Sequence, residues 1–303
     1  MAAEPVPSAL GSPRGEVCHP AAQQAVLRRT PVAAYYDLKL AIVGDRVVEW
    51  GSAPPRAVPV AALQVAVAQT RAYAVNRAQR LVTWAEGSSL VEHLLDNTVW
   101  VAAGDSGLLV IRCDGSLWQR ATGHALWSQV AAFAVHAWVG DGADYYVDQA
   151  GGLYVRGKAH RGQYGDGKLS ERPGWTRVAD DALAVVAHTG HALYLRRDGA
   201  VMGTGGNRFG PLGSHGLGDK ADVWGAILDG ASTIATGSRH SLAIRADGSL
   251  WVWGADEGVS PKAALSSIVA AAGGLLDSVA LGADGTVWWW ALGTRPQRLT
   301  LPR

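Results

Sequence analysis

The sequence predicts a single all-β domain, a β-propeller assembled from repeats of one short unit. Its 303 residues include 38 Gly and 13 Trp but only 2 Phe, which is typical of many tight turns between short strands that carry aromatic side chains. Two runs of alternating residues joined by an Asp-Gly turn recur along the chain and indicate antiparallel hairpins. The hairpins recur every 34–49 residues together with two further strand candidates, which is the signature of a propeller blade.

The hairpin is the clearest part of the unit. Residues 240–254 read HSLAIRADGSLWVWG, in which a period of two places Leu242 with Ile244, and Trp251 with Trp253, on common faces. Related copies occupy 107–121, 191–205 and 277–291, and weaker copies occupy 37–51, 71–85 and 143–157. Their turns fall at residues 44, 78, 114, 150, 198, 247 and 284, so the sequence predicts seven four-stranded antiparallel units.

A run of small apolar residues precedes each hairpin, as in VAVAQ at 65–69, LAVVA at 183–187 and SIVAAA at 267–272. Because blades converge toward the axis of a propeller, bulky side chains have no room there, and this run is predicted to be the innermost strand. A polar stretch containing Gly or Pro follows each hairpin. It ends in a fourth strand candidate, such as WTRV at 175–178.

Composition and charge exclude several classes of protein. With 48% hydrophobic and 17% charged residues, the chain is too apolar for intrinsic disorder. It lacks an uninterrupted apolar stretch of about 18 residues, which argues against membrane insertion. The net charge is +1, and adjacent arginines occur at Arg28–Arg29 and Arg196–Arg197 alone, so we expect no nucleic-acid partner.

The N-terminal segment is predicted to be a tail or strap over residues 1–30, followed by the propeller at 31–303. The first 20 residues contain four prolines without periodicity, and 21–29 are predicted to form a short helix. The segment has no signal-peptide pattern. We therefore expect the chain in the cytoplasm if Met1 is native, and secreted or surface-associated if the chain is a processed form.

The two cysteines, Cys18 and Cys113, lie 95 residues apart. A disulfide between them requires the N-terminal segment to fold back onto the body of the protein. Because Cys113 falls in a predicted strand, a buried free thiol is favoured over the disulfide. Neither cysteine is part of a CxxC pair, so no zinc or redox site is predicted.

The loops after two of the hairpins extend the repeat pattern. Residues 162–167 read GQYGDG, and residues 207–213 read NRFGPLG. With the HSLAI strand, the Asp-Gly turn and the LWVWG strand, they make residues 31–301 resemble the regulator-of-chromosome-condensation repeat family, most strongly over 107–291. The resemblance implies a seven-bladed β-propeller, in agreement with the seven copies. The sequence leaves open whether each copy forms one blade or the two chain ends share a blade.

Three strings that resemble catalytic motifs are interpreted as structural. Residues 162–168 read as the start of a phosphate-binding loop, but Leu169 replaces the required Ser or Thr. The GDSG string at 104–107 lies at a strand junction of the repeat and lacks an oriented base. His188 and His191 are predicted on opposite strand faces, and His191 and His240 are expected to bond neighbouring backbone carbonyls. We therefore predict no catalytic residue, no metal and no cofactor.

Two neighbouring copies carry about a dozen extra residues, at roughly 158–176 and 206–226. Loops on a rigid scaffold are common recognition sites, and aromatic residues with arginine are favoured at interfaces. The predicted partner-binding residues are Arg161, Tyr164, Trp175, Arg208, Phe209, His215 and Trp224. The alternative is that these are full-length loops of the family with a structural role.

The sequence thus favours a non-enzymatic protein-binding propeller, an interaction module or scaffold within a larger complex. Two alternatives come from the resemblance: a guanine-nucleotide exchange factor for a small GTPase, and a secreted inhibitor similar to the proteins that cap a β-lactamase. The Ala- and Arg-rich composition is compatible with a bacterial source. The partner's identity and the face that binds it are left open.

Overall fold

The computed structural model describes residues 18–27, 29–214 and 218–301. They form seven four-stranded antiparallel sheets, each built from one contiguous stretch of chain. The first strands of neighbouring sheets contact one another all the way round, and the first strand of the last sheet contacts the first strand of the first sheet. The protein is therefore a seven-bladed β-propeller, as predicted.

The bounds of the elements follow the chain. A short helix, α1 (Pro20–Leu27), precedes the ring. Blade 1 contains β1 (Val32–Tyr35), β2 (Leu38–Val43), β3 (Arg46–Trp50) and β4 (Arg56–Val58). Blade 2 contains β5 (Ala62–Ala68), β6 (Arg71–Asn76), β7 (Leu81–Ala85) and β8 (Glu92–Leu95). Blade 3 contains β9 (Thr98–Gly104), β10 (Gly107–Arg112), β11 (Leu117–Ala121) and β12 (Ser128–Ala131).

Blade 4 contains β13 (Ala134–Val139), β14 (Ala143–Asp148), β15 (Leu153–Gly157) and β16 (Arg172–Ala179). Blade 5 contains β17 (Ala182–His188), β18 (His191–Arg196), β19 (Val201–Gly206) and β20 (Lys220–Leu228). Blade 6 contains β21 (Ala231–Thr236), β22 (His240–Arg245), β23 (Leu250–Gly254), a 3₁₀ turn (Ala255–Glu257) and β24 (Lys262–Leu265). Blade 7 contains β25 (Ile268–Gly273), β26 (Asp277–Gly282), β27 (Val287–Ala291) and β28 (Gln297–Arg298).

The Asp-Gly turns form the hairpins for a local reason. In blade 6, the Asp247 carboxylate accepts a hydrogen bond from the Ser249 backbone N–H at 2.9 Å, and Gly248 adopts a positive φ of 78°. An aspartate that bonds its own backbone two residues on, followed by a glycine in the left-handed region, specifies a tight turn. The predicted inner strands at 65–69, 183–187 and 267–272 correspond to β5, β17 and β25, the first strands of their blades.

The tryptophans and a buried glutamine join neighbouring blades. The Trp100 indole N–H donates to the Ala137 carbonyl at 3.0 Å, and the Trp138 N–H donates to the Ala187 carbonyl at 2.7 Å. Gln64 makes two bonds with the Val101 backbone, each 3.0 Å long. Each bond joins a side chain of one blade to a backbone group in the inner strand of the next blade, so these side chains hold the ring together.

Blades 7 and 1 close the ring by side-chain packing, without a shared blade. Val32 and Val48 of blade 1 pack with Val279 of blade 7 in one buried cluster. Beside it, Lys39 Nζ lies 2.7 Å from Asp277 Oδ2, and both side chains are almost fully buried. The closure that the sequence left open is thus an apolar seam containing one ion pair.

The described residues 18–27 and 29–31, which we call the strap, fold back onto the ring. The fully buried Ala21, Ala22 and Ala25 of α1 pack over blades 3 and 4. The predicted free thiol is wrong: Cys18 and Cys113 form a disulfide, because the folded-back strap brings their Cα atoms to 4.7 Å. Of the helices in the described ranges, none is long and apolar enough to span a membrane.

The antiparallel order places the connections on two faces of the ring. The loop face carries the turns between first and second strands and the loops between third and fourth strands, including residues 158–171, 207–214 and 218–219. The turn face carries the Asp-Gly turns, such as 246–249, and the connections between blades. The strap lies on the turn face, because it is bonded to Cys113 at the turn after β10.

Candidate interaction surface

The long loop of blade 4 is anchored to blade 5. The Gly162 carbonyl accepts a hydrogen bond from Thr204 Oγ1 at 2.8 Å, and the Gly167 N–H donates to the Asp222 carbonyl at 2.8 Å. Gly165 has a positive φ of 67°, and a Cβ at this position would lie 2.4 Å from Trp224 Nε1. Gly165 of the GQYGDG string therefore allows close packing against the next blade, which is a structural role.

Tyr164 is a packing residue of this loop. Its side chain is fully buried, and its hydroxyl donates to the Gly157 carbonyl at 2.8 Å and accepts from the Arg172 N–H at 3.2 Å. A side chain without exposed surface cannot contact a partner. The prediction that Tyr164 binds a partner is therefore withdrawn, and the structural alternative holds for this residue.

The long loop of blade 5 is anchored to blade 6 in the same way. The Pro211 carbonyl accepts hydrogen bonds from Trp253 Nε1 and Ser241 Oγ, both at 2.8 Å. Leu212 is fully buried, and its N–H donates to the Asn207 side chain at 3.0 Å. The described part of this loop is thus fixed by the neighbouring blade, which makes it a rigid platform.

Trp175 and Trp224 lie in outer strands, where they stack on other aromatic residues. Trp175, in β16, contacts Tyr146 edge-on at 4.8 Å, and Trp224, in β20, contacts Tyr194 edge-on at 4.8 Å. Both are half-buried. The structure does not bring them together with Arg208 and Phe209. His215 lies outside the described residues.

Phe209 is presented on the loop face between two arginines. Its ring is 41% exposed, and the guanidinium carbons of Arg239 and Arg208 lie 4.4 and 5.8 Å from the ring centroid. Val259 of blade 6 and Leu276 of blade 7 are 58% and 46% exposed and line the same groove, whose volume is about 650 Å³. We call these five residues the Phe209 patch.

The patch carries an excess of positive charge. Neither Arg208 nor Arg239 forms an ion pair with a described residue, and Asp256 is the acidic residue that lines the groove. Arg161, exposed on the same face, lies over Gly190 of blade 5. The sequence did not single out Arg239, because it belongs to a two-residue turn of the next blade, 30 residues from Phe209.

The repeated histidines join blades through hydroxyl groups. His191 Nε2 lies 3.3 Å from Ser241 Oγ, and His240 Nε2 lies 2.8 Å from Ser278 Oγ. For His240 a serine of the following blade takes the place of the expected backbone carbonyl, whereas His191 also has a backbone hydrogen bond at His240. Burial lowers the pKa of both histidines to about 3, so they are neutral at physiological pH.

The prediction that His188 and His191 lie on opposite faces is wrong. The chain reverses between them, and they are directly opposed in the β17–β18 hairpin. Directly opposed residues of an antiparallel pair project from the same face. Within the described residues, no group of three His, Cys, Asp or Glu side chains is placed to hold a metal ion.

The GDSG string is the turn between β9 and β10. Ser106 Oγ donates a hydrogen bond to Asp144 Oδ1 of blade 4 at 2.8 Å, and the other carboxylate oxygen lies 3.0 Å from Arg156. The Asp144 carboxylate is thus held by Ser106 and by Arg156 at the same time. The string therefore contributes a bond between blades 3 and 4.

Residues 231–257, most of blade 6, match the sequence model of the Regulator of chromosome condensation (RCC1) repeat. The chain carries an RCC1 repeat. Comparison with curated protein sequences finds no match. Among solved structures, human WBSCR16 superposes with a TM-score of 0.72 at 15% identity, over 82% of this chain and 84% of the other.

Yeast structures of the same kind are also similar. Prp20p from Saccharomyces cerevisiae, described with its binding to Gsp1p and histones, has a TM-score of 0.69 at 15% identity over 82% of this chain and 80% of its own. Yeast RCC1 (Prp20), described bound to Kap60, reaches 0.75 at 15% identity over 99% and 91%. At this identity the similarity establishes an RCC1-like propeller fold.

Proposed function

We propose that this RCC1-like propeller is a non-enzymatic protein-binding module whose loop face holds a partner through the Phe209 patch. The observation that carries the proposal is an exposed aromatic ring between two arginines that make no ion pair with the described residues. Aromatic and arginine side chains dominate the binding energy of protein interfaces. That the similar yeast propeller is described with Gsp1p, histones and Kap60 supports a protein partner in general terms.

Rigidity favours this surface as a binding site. Phe209 follows Asn207, whose side chain accepts the Leu212 N–H, and precedes Pro211, whose carbonyl is bonded to blade 6. A loop held in one conformation before binding loses little conformational entropy when a partner docks. The two anchoring contacts therefore increase the affinity that a small patch provides.

The charge of the patch indicates the chemistry of the partner. Arg208 and Arg239 face one acidic residue, Asp256, so an acidic surface is favoured by electrostatic complementarity. The groove between Phe209, Val259 and Leu276 fits an apolar side chain on that surface. We therefore propose an acidic protein surface with an apolar anchor.

The experiment is a quantitative capture of partners from extract of the source organism. The oxidised full chain is compared with Phe209→Ala, with Arg208→Ala/Arg239→Ala, and with Arg197→Ala, an exposed arginine of the turn face. Truncating a binding hot spot costs about 2 kcal/mol or more, or about 30-fold in affinity. A specific partner should be lost by the first two variants and kept by the third. Equal capture by all four proteins contradicts the proposal.

The Cys18–Cys113 disulfide is evidence about the compartment in which the protein acts. Persistent disulfides are a feature of oxidising environments, and are rare in the cytosol. We therefore propose that the protein acts in an oxidising compartment. This favours the secreted-inhibitor alternative over exchange on a cytosolic GTPase. Alkylation of thiols in intact source cells should find Cys18 and Cys113 unreactive, whereas labelling of both contradicts this proposal.

A further inference from the structure

The seven inner strands enclose a cavity on the propeller axis. Its volume is about 160 Å³, and its walls are mostly small apolar side chains, among them Ala66, Ala102, Val186 and Ala272. Thr30 of the strap lines it as well. An apolar cavity of about 150 Å³ is large enough for a molecule the size of benzene.

Two aromatic rings close this cavity at the loop face. Tyr35 ends the inner strand of blade 1 and His188 ends that of blade 5, so they come from opposite sides of the axis. Their rings stack across it with centroids 5.6 Å apart. The cavity therefore has a floor, made by side chains that are more than 150 residues apart in sequence.

The floor contains buried polar atoms without partners among the described residues. His188 is 8% exposed, and its Nε2 atom has no hydrogen-bond partner. Thr236, at the end of the neighbouring inner strand, is 3% exposed, and its hydroxyl also has none. Buried polar groups are almost always hydrogen-bonded in proteins, so these two atoms are available to bond a molecule in the cavity.

The hydrogen bonding of His188 determines that its Nε2 atom is a hydrogen-bond donor. Nδ1 accepts a hydrogen bond from the Thr189 backbone N–H at 2.9 Å, so the proton of the neutral ring resides on Nε2. Burial lowers the pKa of His188 to about 4, and the ring is neutral at physiological pH. The floor thus presents one N–H donor and one hydroxyl group to the cavity.

The charges around the floor select against ions. Among the described residues that line the cavity there is no lysine or arginine, and the carboxylates of Asp141 and Asp105 act on His188. Their negative field disfavours an anion. A cation in the cavity would meet the Nε2–H donor of His188. The carboxylate among the described lining residues is that of Asp141, which is exposed in a loop-face turn and is not part of the apolar walls. An uncharged group is favoured.

We propose that the axial cavity is a binding site for a small uncharged molecule that carries a carbonyl or hydroxyl oxygen on an apolar body of about six to eight heavy atoms. The oxygen accepts the His188 Nε2–H and bonds with the Thr236 hydroxyl. The apolar body packs against the alanine and valine walls.

The test uses three probes with one ring: cyclohexanone, cyclohexylammonium and cyclohexanecarboxylate. Binding to the oxidised full chain is measured by ligand-observed NMR titration. Cyclohexanone should bind with a Kd of about 1 mM or below, as expected for so small a molecule. The two ions should bind at least about 10-fold more weakly. Absence of cyclohexanone binding at 10-fold higher concentration overturns the proposal, as does equal binding of all three probes.

Variants locate the site. Thr236→Val removes one hydroxyl at almost constant volume, and His188→Phe keeps a ring against Tyr35 while removing the donor. Each should weaken cyclohexanone binding about 5- to 10-fold. Thr98→Val is the matched control, because the Thr98 hydroxyl is also buried and has no partner among the described residues, but does not line the cavity. A loss with Thr98→Val equal to that with Thr236→Val, or no loss with Thr236→Val, contradicts the assignment.

Discussion

The disulfide should stabilise the protein chiefly by restricting the unfolded chain. Cys18 and Cys113 close a loop across a separation of 95 residues. In the chain-entropy treatment, cross-linking a loop of about 100 residues raises the free energy of the unfolded state by about 4.7 kcal/mol. Strain in the folded state lowers this figure. We therefore expect Cys18→Ser/Cys113→Ser to reduce the free energy of unfolding by about 3–5 kcal/mol.

The assay is denaturant unfolding followed by fluorescence of the 13 tryptophans. Oxidised wild type is compared with the double variant, and both are repeated with a reductant. Reductant should lower the unfolding midpoint of the wild type to that of the variant and leave the variant unchanged. A difference below about 1 kcal/mol refutes the entropic reasoning. Two reactive thiols in unreduced, denatured wild type would refute the disulfide itself.

Three further perturbations test the packing between blades. Lys39→Met should cost about 3–5 kcal/mol of unfolding free energy by leaving the buried Asp277 carboxylate unpaired, and Lys39→Met/Asp277→Leu should recover most of it, as measured by denaturant unfolding. Gly165→Ala should lower the melting temperature more than Gly167→Ala, because both have positive φ but a Cβ has room only at the second position. The folded-state pKa of His240, about 3, lies below its ordinary value of 6.5, so its contribution to stability is full above pH 6.5 and declines as pH falls toward 3. His240→Gln should therefore reduce the slope of stability against pH in this window by about 1.4 kcal/mol per pH unit, in unfolding titrations at pH 6 to 4.5.

The parts of the fold that follow from local chemistry could be predicted from the sequence. The Asp247–Gly248 turn carries its own hydrogen bonds, and the small residues of β5, β17 and β25 reflect the crowding at the axis. The turn and the inner strand of each repeat lie within one blade, so the seven copies of the repeat predict seven blades. The ring closure through Lys39 and Asp277 could not be predicted in this way, because it joins residues 238 positions apart that share no pattern.

Some features of the candidate surface could likewise be predicted from the sequence, and others depend on the assembled ring. The length of the two loops and the exposed pair Arg208 and Phe209 could be recognised in the sequence. Tyr164 and Trp224 are aromatic like Phe209 and lie in the same two long segments of the sequence. In the structure, the packing of the blade 4 loop against blade 5 buries Tyr164 wholly and Trp224 partly. Arg239 joins Phe209 only because the ring places a turn of blade 6 beneath the loop of blade 5.

Site-specific photocrosslinking tests directly whether the loop face binds a partner. A photoreactive phenylalanine analogue replaces Phe209 in one protein and Ala246, an exposed residue of a turn-face hairpin, in a second. Both proteins are irradiated in extract of the source organism. We predict a crosslink from position 209 to a protein with an acidic surface, abolished by Arg208→Ala/Arg239→Ala, and no such crosslink from position 246. Equal crosslinking from both positions, or crosslinking from 246 alone, would contradict the proposed binding surface.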